Sequence, residues 1–237
     1  MWKILGIALL SCWSAVASAQ LPDIKGMLGG KGGSGLSDQK TADGLKEALQ
    51  VSTANAVSLT GKTDGYLLNE AIRIAMPEKL KTVEKGLRAL GQGAKVDEFV
   101  ASMNHAAERA APAAKEIFVA AIHEMSFDDA RRILGGGDSA ATDYFRSKTT
   151  NRLKASFKPV VEKSMGEAGV TKSYDDMVGR YKSVPFASSV SFDVNDYVVD
   201  KALDGLFHVI AQQEKEIRTN PAARVTDLLK GVFGRGA

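Results

Sequence analysis

The stretch DVNDYVVDKALDGLFHVIAQQEKEIRTN, residues 193–220, decides the fold class of this chain. Its apolar residues recur at helical spacing and form a stripe along one side of an α-helix. The stripe consists of Val199, Ala202, Leu206, Ile210 and Ile217, and Gln213 lies on the same side. Asp193 or Asn195 can cap the start of this helix, and Asn220 can end it. We therefore predict that this segment is the longest uninterrupted helix of the protein.

The same period recurs through most of the chain. Two further apolar stripes are predicted, the first formed by Leu45, Leu49, Ala56 and Leu59, and the second by Leu80, Val83, Leu87 and Leu90. Helix starts are predicted at Ser37, Pro77, Val96, Ser126, Asp138 or Ser139, Pro159, Ser173 and Pro221. Pro112 should split the helix of residues 96–125, because proline removes one backbone hydrogen bond. With no convincing strand, the prediction is an all-α fold, a single bundle of about eight to ten helices over residues 37–237.

The N-terminus indicates export. Lys3 precedes a short apolar run, and Ala17-Ser18-Ala19 matches a cleavage site, so residues 1–19 are predicted to be a secretory signal peptide. The apolar run is too short to span a bilayer, and charges interrupt the later apolar stretches, so no transmembrane helix is expected. Residues 20–36 are glycine-rich and are predicted to be a flexible tether.

Cys12 is the single cysteine, and it lies inside the predicted signal. Cleavage after Ala19 would leave a periplasmic protein with no thiol and no disulfide. The alternative is cleavage before Cys12, because Leu9-Leu10-Ser11-Cys12 is similar to a lipobox. Cys12 would then carry a lipid anchor in the inner or outer membrane, and the sequence leaves both processing sites open.

Several functional classes lack their sequence signals. The net charge is only +3, and the basic residues are mixed with acidic ones, so no nucleic-acid partner is predicted. Residues 56–63 fit a relaxed phosphate-loop pattern but follow a helical segment, whereas that motif needs a preceding strand. His105 and Glu108 could share a metal ion, but matching ligands are not evident in the sequence. We therefore predict no catalytic residue, no cofactor and no metal ligand.

One set of polar residues along the long helix and just after it is the candidate site, functional or structural. It comprises Tyr197, Asp200, Glu214, Glu216, Arg218, Asn220 and Arg224. The structural interpretation is a clasp that fixes the angle between the last two helices. The functional interpretation is an arginine pair, Arg218 and Arg224, that receives a carboxylate or phosphate. A second candidate is a ligand rim formed by the aromatic residues of the loop before the helix, Tyr181, Phe186 and Phe192, although such residues more often pin a loop to the core.

Four segments together resemble a known family. They are residues 64–80, with DGYLL and IRIAMP; residues 126–136, SFDDA to ILGG; Tyr144-Phe145; and residues 197–224, with KALDGLF. In this order they resemble the bacterial exported family described as domain of unknown function 4197, over roughly residues 36–233. The resemblance implies a helical protein of Gram-negative bacteria, periplasmic or lipid-anchored, and supplies no activity.

Two functional hypotheses follow from the sequence. The first is a non-catalytic binding or interaction protein of the cell envelope, whose partner is a protein or an apolar small molecule held between helices. The second is an envelope hydrolase with an unrecognised site built around Tyr197, Glu216, Arg218 and Arg224, which requires these side chains to converge in one cleft.

Overall fold

The computed structural model describes residues 34–167 and 192–220, and these form α-helices joined by turns and short 3-10 segments. The helices are α1 (Ser34–Gly61), α2 (Lys81–Ala89), α3 (Gly93–Ala110), α4 (Ala114–His123), α5 (Phe127–Leu134), α6 (Ala140–Glu167) and α7 (Val194–Thr219). Within these two ranges there is no strand, which confirms the all-α prediction. The predicted signal, most of the predicted tether and the helices predicted from Ser173 and Pro221 lie outside the described residues, and the count of eight to ten helices stays a prediction.

Helix α7 packs into the bundle as its apolar stripe predicts, mainly against α6, α1 and α3. Its residues Ala202, Leu206 and Ile210 are fully or almost fully buried. A cluster of aromatic rings joins it to its neighbours, since the Phe118 ring lies 5.3 Å from that of Phe145 and 6.3 Å from that of Phe207, edge to face in both cases. This core fixes the positions of the polar side chains described below.

Several predicted helix ends are confirmed. Ser126 caps α5, with its side chain accepting from the Asp129 backbone N–H while the Asp129 carboxylate accepts from that of Ser126. Asp193 caps α7, and Asn220 ends it. Pro112 divides residues 96–125 into α3 and α4, joined by a 3-10 turn. Local capping and proline chemistry are therefore read correctly from the sequence where no tertiary contact competes.

The predicted break at Pro159 is wrong, because α6 runs from Ala140 to Glu167 through the proline. Its buried residues Leu153, Phe157, Val161 and Met165 follow one another at intervals of four on both sides of Pro159. Burying this unbroken stripe against α3 and α7 outweighs the roughly 3 kcal/mol that an interior proline costs. The prediction that α7 is the longest helix is also wrong, because α6 and α1 have 28 residues each and α7 has 26.

Two predicted apolar stripes are buried only in part. Leu45, Leu49 and Ala56 of α1 are buried, but Leu59 is 42% exposed. Helix α2 contains no fully buried residue, and Leu90 behind it is 75% exposed, although Leu80 just before it is buried. Helix α1 also begins at Ser34, before the predicted Ser37 cap. Residues 56–61 form the last turns of α1, which is incompatible with a phosphate loop.

The segment between α1 and α2, residues 62–77, is irregular but largely held against the bundle. Tyr66 is fully buried within it, and its hydroxyl donates to the Ala202 carbonyl of α7 at 2.6 Å. Burial raises the pKa of Tyr66 far above its ordinary value, so this hydroxyl remains a donor. Asn104 of α3 accepts from the Ile74 backbone N–H and donates to the Ile74 carbonyl, as a neighbouring strand would.

Gly205 is required where α7 passes Tyr66. A Cβ atom at this position would lie 2.6 Å from Tyr66 Cε1 and 3.1 Å from Ile72 Cβ. We expect Gly205→Ala to lower the free energy of unfolding by about 1–2 kcal/mol, because overpacking exceeds the gain of up to about 1 kcal/mol in helix propensity. Urea unfolding measures this. The matched control is Gly86→Ala in α2, where nothing lies within 4 Å of the added atom and the free energy should rise. Equal stabilisation by both variants would contradict the close approach.

None of the helices in the described ranges combines the length and the apolar character needed to cross a bilayer.

Candidate functional site

Glu214 of α7 caps the start of α6 from outside that helix. Its carboxylate is almost fully buried, with 6% exposure, and accepts from the backbone N–H groups of Ala141 and Thr142, each at 2.9 Å. The Thr142 hydroxyl donates to it as well, at 2.8 Å. The first N–H groups of a helix have no acceptor within that helix, and its dipole favours a negative charge there. Glu214 therefore supplies what a local capping residue would supply.

Arg218 completes this corner. Its Nε and Nη2 atoms donate to Glu214 Oε1 at 3.1 and 2.9 Å, and Nη2 also donates to the Ile133 carbonyl at 2.8 Å. The pair thus connects the end of α5, the start of α6 and the end of α7. An adjoining cavity of about 10 Å³ has room for no more than about one water molecule. The geometry at Arg218 is that of a structural clasp between α5, α6 and α7, whereas the predicted contact with the helix from Pro221 lies outside the described residues.

The remaining members of the predicted cluster are divided between the two ends of α7. Asn220 donates through its amide to the Glu216 carboxylate at the exposed C-terminal end. Tyr197 and Asp200 lie near the opposite end, and 17 residues separate Tyr197 from Glu214, which corresponds to about 26 Å along a helix. Arg224 lies outside the described residues. The structure therefore does not bring Tyr197 together with Glu216 and Arg218 in one cleft.

Tyr197 and Asp200, which lie near the start of α7, each contact a structural partner close by. The Tyr197 hydroxyl donates to the Ala75 carbonyl at 3.1 Å, and burial, reinforced by the Glu78 charge, raises the pKa of Tyr197. Asp200 pairs with Lys154 of α6 at 2.7 Å and raises the pKa of that lysine. The predicted aromatic rim is described only at Phe192, whose ring packs 5.6 Å from that of Tyr197. This contact holds Phe192 against α7, and Tyr181 and Phe186 lie outside the described residues.

A second buried carboxylate was not included in the predicted site. Glu108 of α3 is 4% exposed, and its Oε1 atom accepts from the backbone N–H groups of Tyr66 and Leu67 at 3.0 and 3.1 Å. Its Oε2 atom lies 2.8 Å from His105 Nδ1. Asp64, in the turn after α1, brings a carboxylate oxygen close to both side chains. The spacing of His105 and Glu108 was visible in the sequence, but the approach of Asp64 depends on tertiary folding.

Glu108 and Glu214 have the same role and different counter-charges. Each accepts from two consecutive backbone N–H groups of a segment distant in sequence. Glu214 is paired with the Arg218 guanidinium, whereas Glu108 has an imidazole and a second carboxylate beside it. Since a buried charge needs compensation, the surroundings of Glu108 favour a bound cation.

A half-open pocket lies on the neighbouring surface between α3 and α6. It has a volume of about 190 Å³ and is lined by Ser102, His105, Arg109, Ser164 and Glu167. We call it the α3–α6 pocket. Arg109 and Glu167 form an exposed ion pair across it, with 3.2 Å between Arg109 Nη1 and Glu167 Oε2. Lys163 Nζ lies 3.8 Å from Glu167 Oε1. The lining can therefore offer an imidazole, a guanidinium, hydroxyls and a carboxylate to a ligand.

Comparisons with known proteins identify the family and nothing more specific. No curated protein and no solved structure is similar enough to count as a match. The sequence does match a family described as "Protein of unknown function (DUF4197)" over residues 35–234, which is most of the chain. The match confirms the resemblance seen in the four sequence segments, and the chain belongs to this DUF4197 family.

Proposed function

We propose that this protein is an exported, non-catalytic binding protein of the bacterial cell envelope, and that the α3–α6 pocket carries recognition. The supporting observation is a contrast between two polar sites. At the Glu214 corner the polar atoms hold backbone groups, and the cavity that the described residues leave beside them has room for about one water molecule. At the pocket, a guanidinium and an imidazole line an opening to solvent.

The location follows from the N-terminal sequence. Residues 1–19 have the charge, apolar run and cleavage site of a secretory signal, so the proposed compartment is the periplasm. The alternative retained here is a lipid anchor at Cys12, which would hold the same domain at a membrane surface.

The pocket favours a polar, anionic group on the partner. Its volume of about 190 Å³ is below the range of about 300–1,000 Å³ typical of small-molecule sites, so it suits one side chain or head group. Arg109 and Glu167 are 60% and 55% exposed, and such ion pairs contribute at most about 1 kcal/mol. A carboxylate of the partner can therefore replace Glu167 as the ligand of Arg109 at little cost. This favours a protein partner over an apolar small molecule.

The test is native mass spectrometry of the protein extracted from its host envelope with bound molecules retained. We expect the mass of a chain beginning at Gln20 and a bound partner that is lost in Arg109→Ala. The matched control is Arg152→Ala, which breaks the exposed pair between Arg152 and Glu124 and should leave the partner bound. A cytosolic protein with its leader intact, or a partner retained equally by both variants, would contradict the proposal.

An envelope hydrolase is the second candidate, and one observation favours it. Glu108 and His105 form a carboxylate–imidazole pair, and two serine hydroxyls line the adjoining pocket. A buried carboxylate that orients a histidine is the base half of a serine hydrolase triad. A fluorophosphonate probe, which reacts with activated serines, tests this candidate. If the probe labels Ser102 or Ser164 and His105→Gln abolishes the labelling, the protein is a hydrolase and the binding proposal is wrong. Under the binding proposal neither serine is labelled.

A further inference from the structure

We propose that Asp64, His105 and Glu108 form a binding site for a divalent transition-metal ion such as Zn²⁺. Each residue offers one ligand atom, and the three atoms all lie within 4.8 Å of one another. Zn²⁺ sites are tetrahedral with nitrogen and oxygen ligands about 2.0–2.2 Å from the metal, so two ligand atoms of one ion lie about 3.3–3.6 Å apart. Side-chain rotations that move the three atoms to these separations would form the site, and the metal would replace the 2.8 Å hydrogen bond between His105 Nδ1 and Glu108 Oε2.

The charges of the site call for a cation. Two carboxylates, one of them buried, lie beside a single imidazole, and the ion pairs of the described residues give Glu108 no arginine or lysine. Glu214, which is equally buried, has Arg218. A divalent ion bound by two carboxylates and a neutral imidazole leaves no net charge, and this removes the electrostatic cost of placing Asp64 next to Glu108.

The ligand set selects the kind of metal. Imidazole nitrogen with carboxylate oxygen suits Zn²⁺, Mn²⁺ and Fe²⁺, whereas Ca²⁺ and Mg²⁺ prefer oxygen ligands alone. The second ligand shell is already in place, because the Tyr66 and Leu67 N–H groups hold Glu108 Oε1 and leave Oε2 directed at His105. Asp64 and His105 are partly exposed, so solvent can reach the remaining coordination positions.

This site does not depend on the proposed function. The metal site and the α3–α6 pocket share His105, but the metal would use its Nδ1 atom, and Arg109 and Glu167 of the pocket take no part in the metal site. Metal binding and a Glu108–His105 catalytic pair are mutually exclusive uses of the same nitrogen, so a bound metal also argues against the hydrolase alternative.

The experiment is a calorimetric titration of the tag-free mature protein, first dialysed against a chelator, with Zn²⁺ and then with Mn²⁺. We expect one Zn²⁺ per chain and, at saturation, a rise in Tm of about 5 °C or more, since a ligand that binds only the folded state stabilises it. Asp64→Asn and His105→Gln should each weaken Zn²⁺ binding at least about tenfold. Asn is chosen because Asp64 has a φ of 62°, a left-handed conformation that Asn also tolerates.

The matched control is His208→Gln, which changes an exposed histidine on α7 and should leave Zn²⁺ binding intact. Far-UV circular dichroism checks that each variant is folded. A folded wild-type protein without saturable Zn²⁺ binding would overturn the site. Binding that survives Asp64→Asn, or that His208→Gln also removes, would overturn it too.

Discussion

Replacing Glu214 by Ala should lower the free energy of unfolding by about 3–5 kcal/mol, the largest loss that we expect from a single polar substitution among the described residues. The substitution removes the acceptor of two backbone N–H groups at the start of α6 and of the Thr142 hydroxyl. It also leaves Arg218, whose side chain is only 12% exposed, without its carboxylate. When a buried donor or charge loses a hydrogen-bond partner, the folded state is destabilised by the desolvation free energy that this partner had offset.

Urea unfolding followed by circular dichroism measures this effect. Asp200→Ala is the matched control, because it removes an acidic residue of the same helix whose pair with Lys154 is exposed, and it should change stability by less than about 1 kcal/mol. The double variant Glu214→Gln with Arg218→Met removes both charges together. Its loss of unfolding free energy should therefore be smaller than the sum of the losses of Glu214→Gln and of Arg218→Met measured separately. If Glu214→Ala behaves like Asp200→Ala, the clasp does not hold the corner.

Replacing Glu108 by Ala should lower the free energy of unfolding by about 2–4 kcal/mol. The N–H groups of Tyr66 and Leu67 lose their acceptor, and the segment of residues 62–77 loses one of its connections to α3. Glu108→Gln retains an acceptor oxygen without the charge, so its loss should be smaller. Thermal and urea unfolding of metal-free protein measure both, which separates this effect from stabilisation by a metal ion.

Glu98→Ala is the control for Glu108, since Glu98 lies on the same helix but is exposed, and its replacement should change stability by no more than about 0.5 kcal/mol. Equal stability of Glu108→Ala and Glu98→Ala would mean that the segment of residues 62–77 is held in place without a contribution from Glu108. The role assigned to Glu108 would then be wrong.

The sequence predicts those parts of the fold that depend on local chemistry. Ser126 and Asp193 cap their helices through residues two or three positions away, and Pro112 acts on its own backbone. The break predicted at Pro159 is wrong because burial of the apolar stripe on both sides of the proline outweighs the local cost of placing proline inside a helix. The spacing of Leu153, Phe157, Val161 and Met165 was visible in the sequence and would have predicted the continuous helix.

The candidate site was predictable only in part, for a related reason. Glu214 and Arg218 could be recognised as a pair at a spacing of four, but their acceptor and donor partners lie more than 70 residues away. The sequence near Ala141 gives no sign that the start of α6 is capped by Glu214, a side chain of α7. Asp64 likewise meets His105 and Glu108 only after residues 62–77 fold back onto α3. Contacts of this kind follow from packing, which the residue pattern alone does not determine.

Amide hydrogen exchange, measured by NMR at single residues, tests the central claim that two buried carboxylates hold backbone groups of distant segments. The first N–H groups of a helix and those of a turn ordinarily exchange quickly, because no helical acceptor protects them. We predict that the amides of Tyr66, Leu67, Ala141 and Thr142 exchange as slowly as core amides such as that of Phe145. Exchange of these four amides as fast as that of exposed Gly91 would contradict the account.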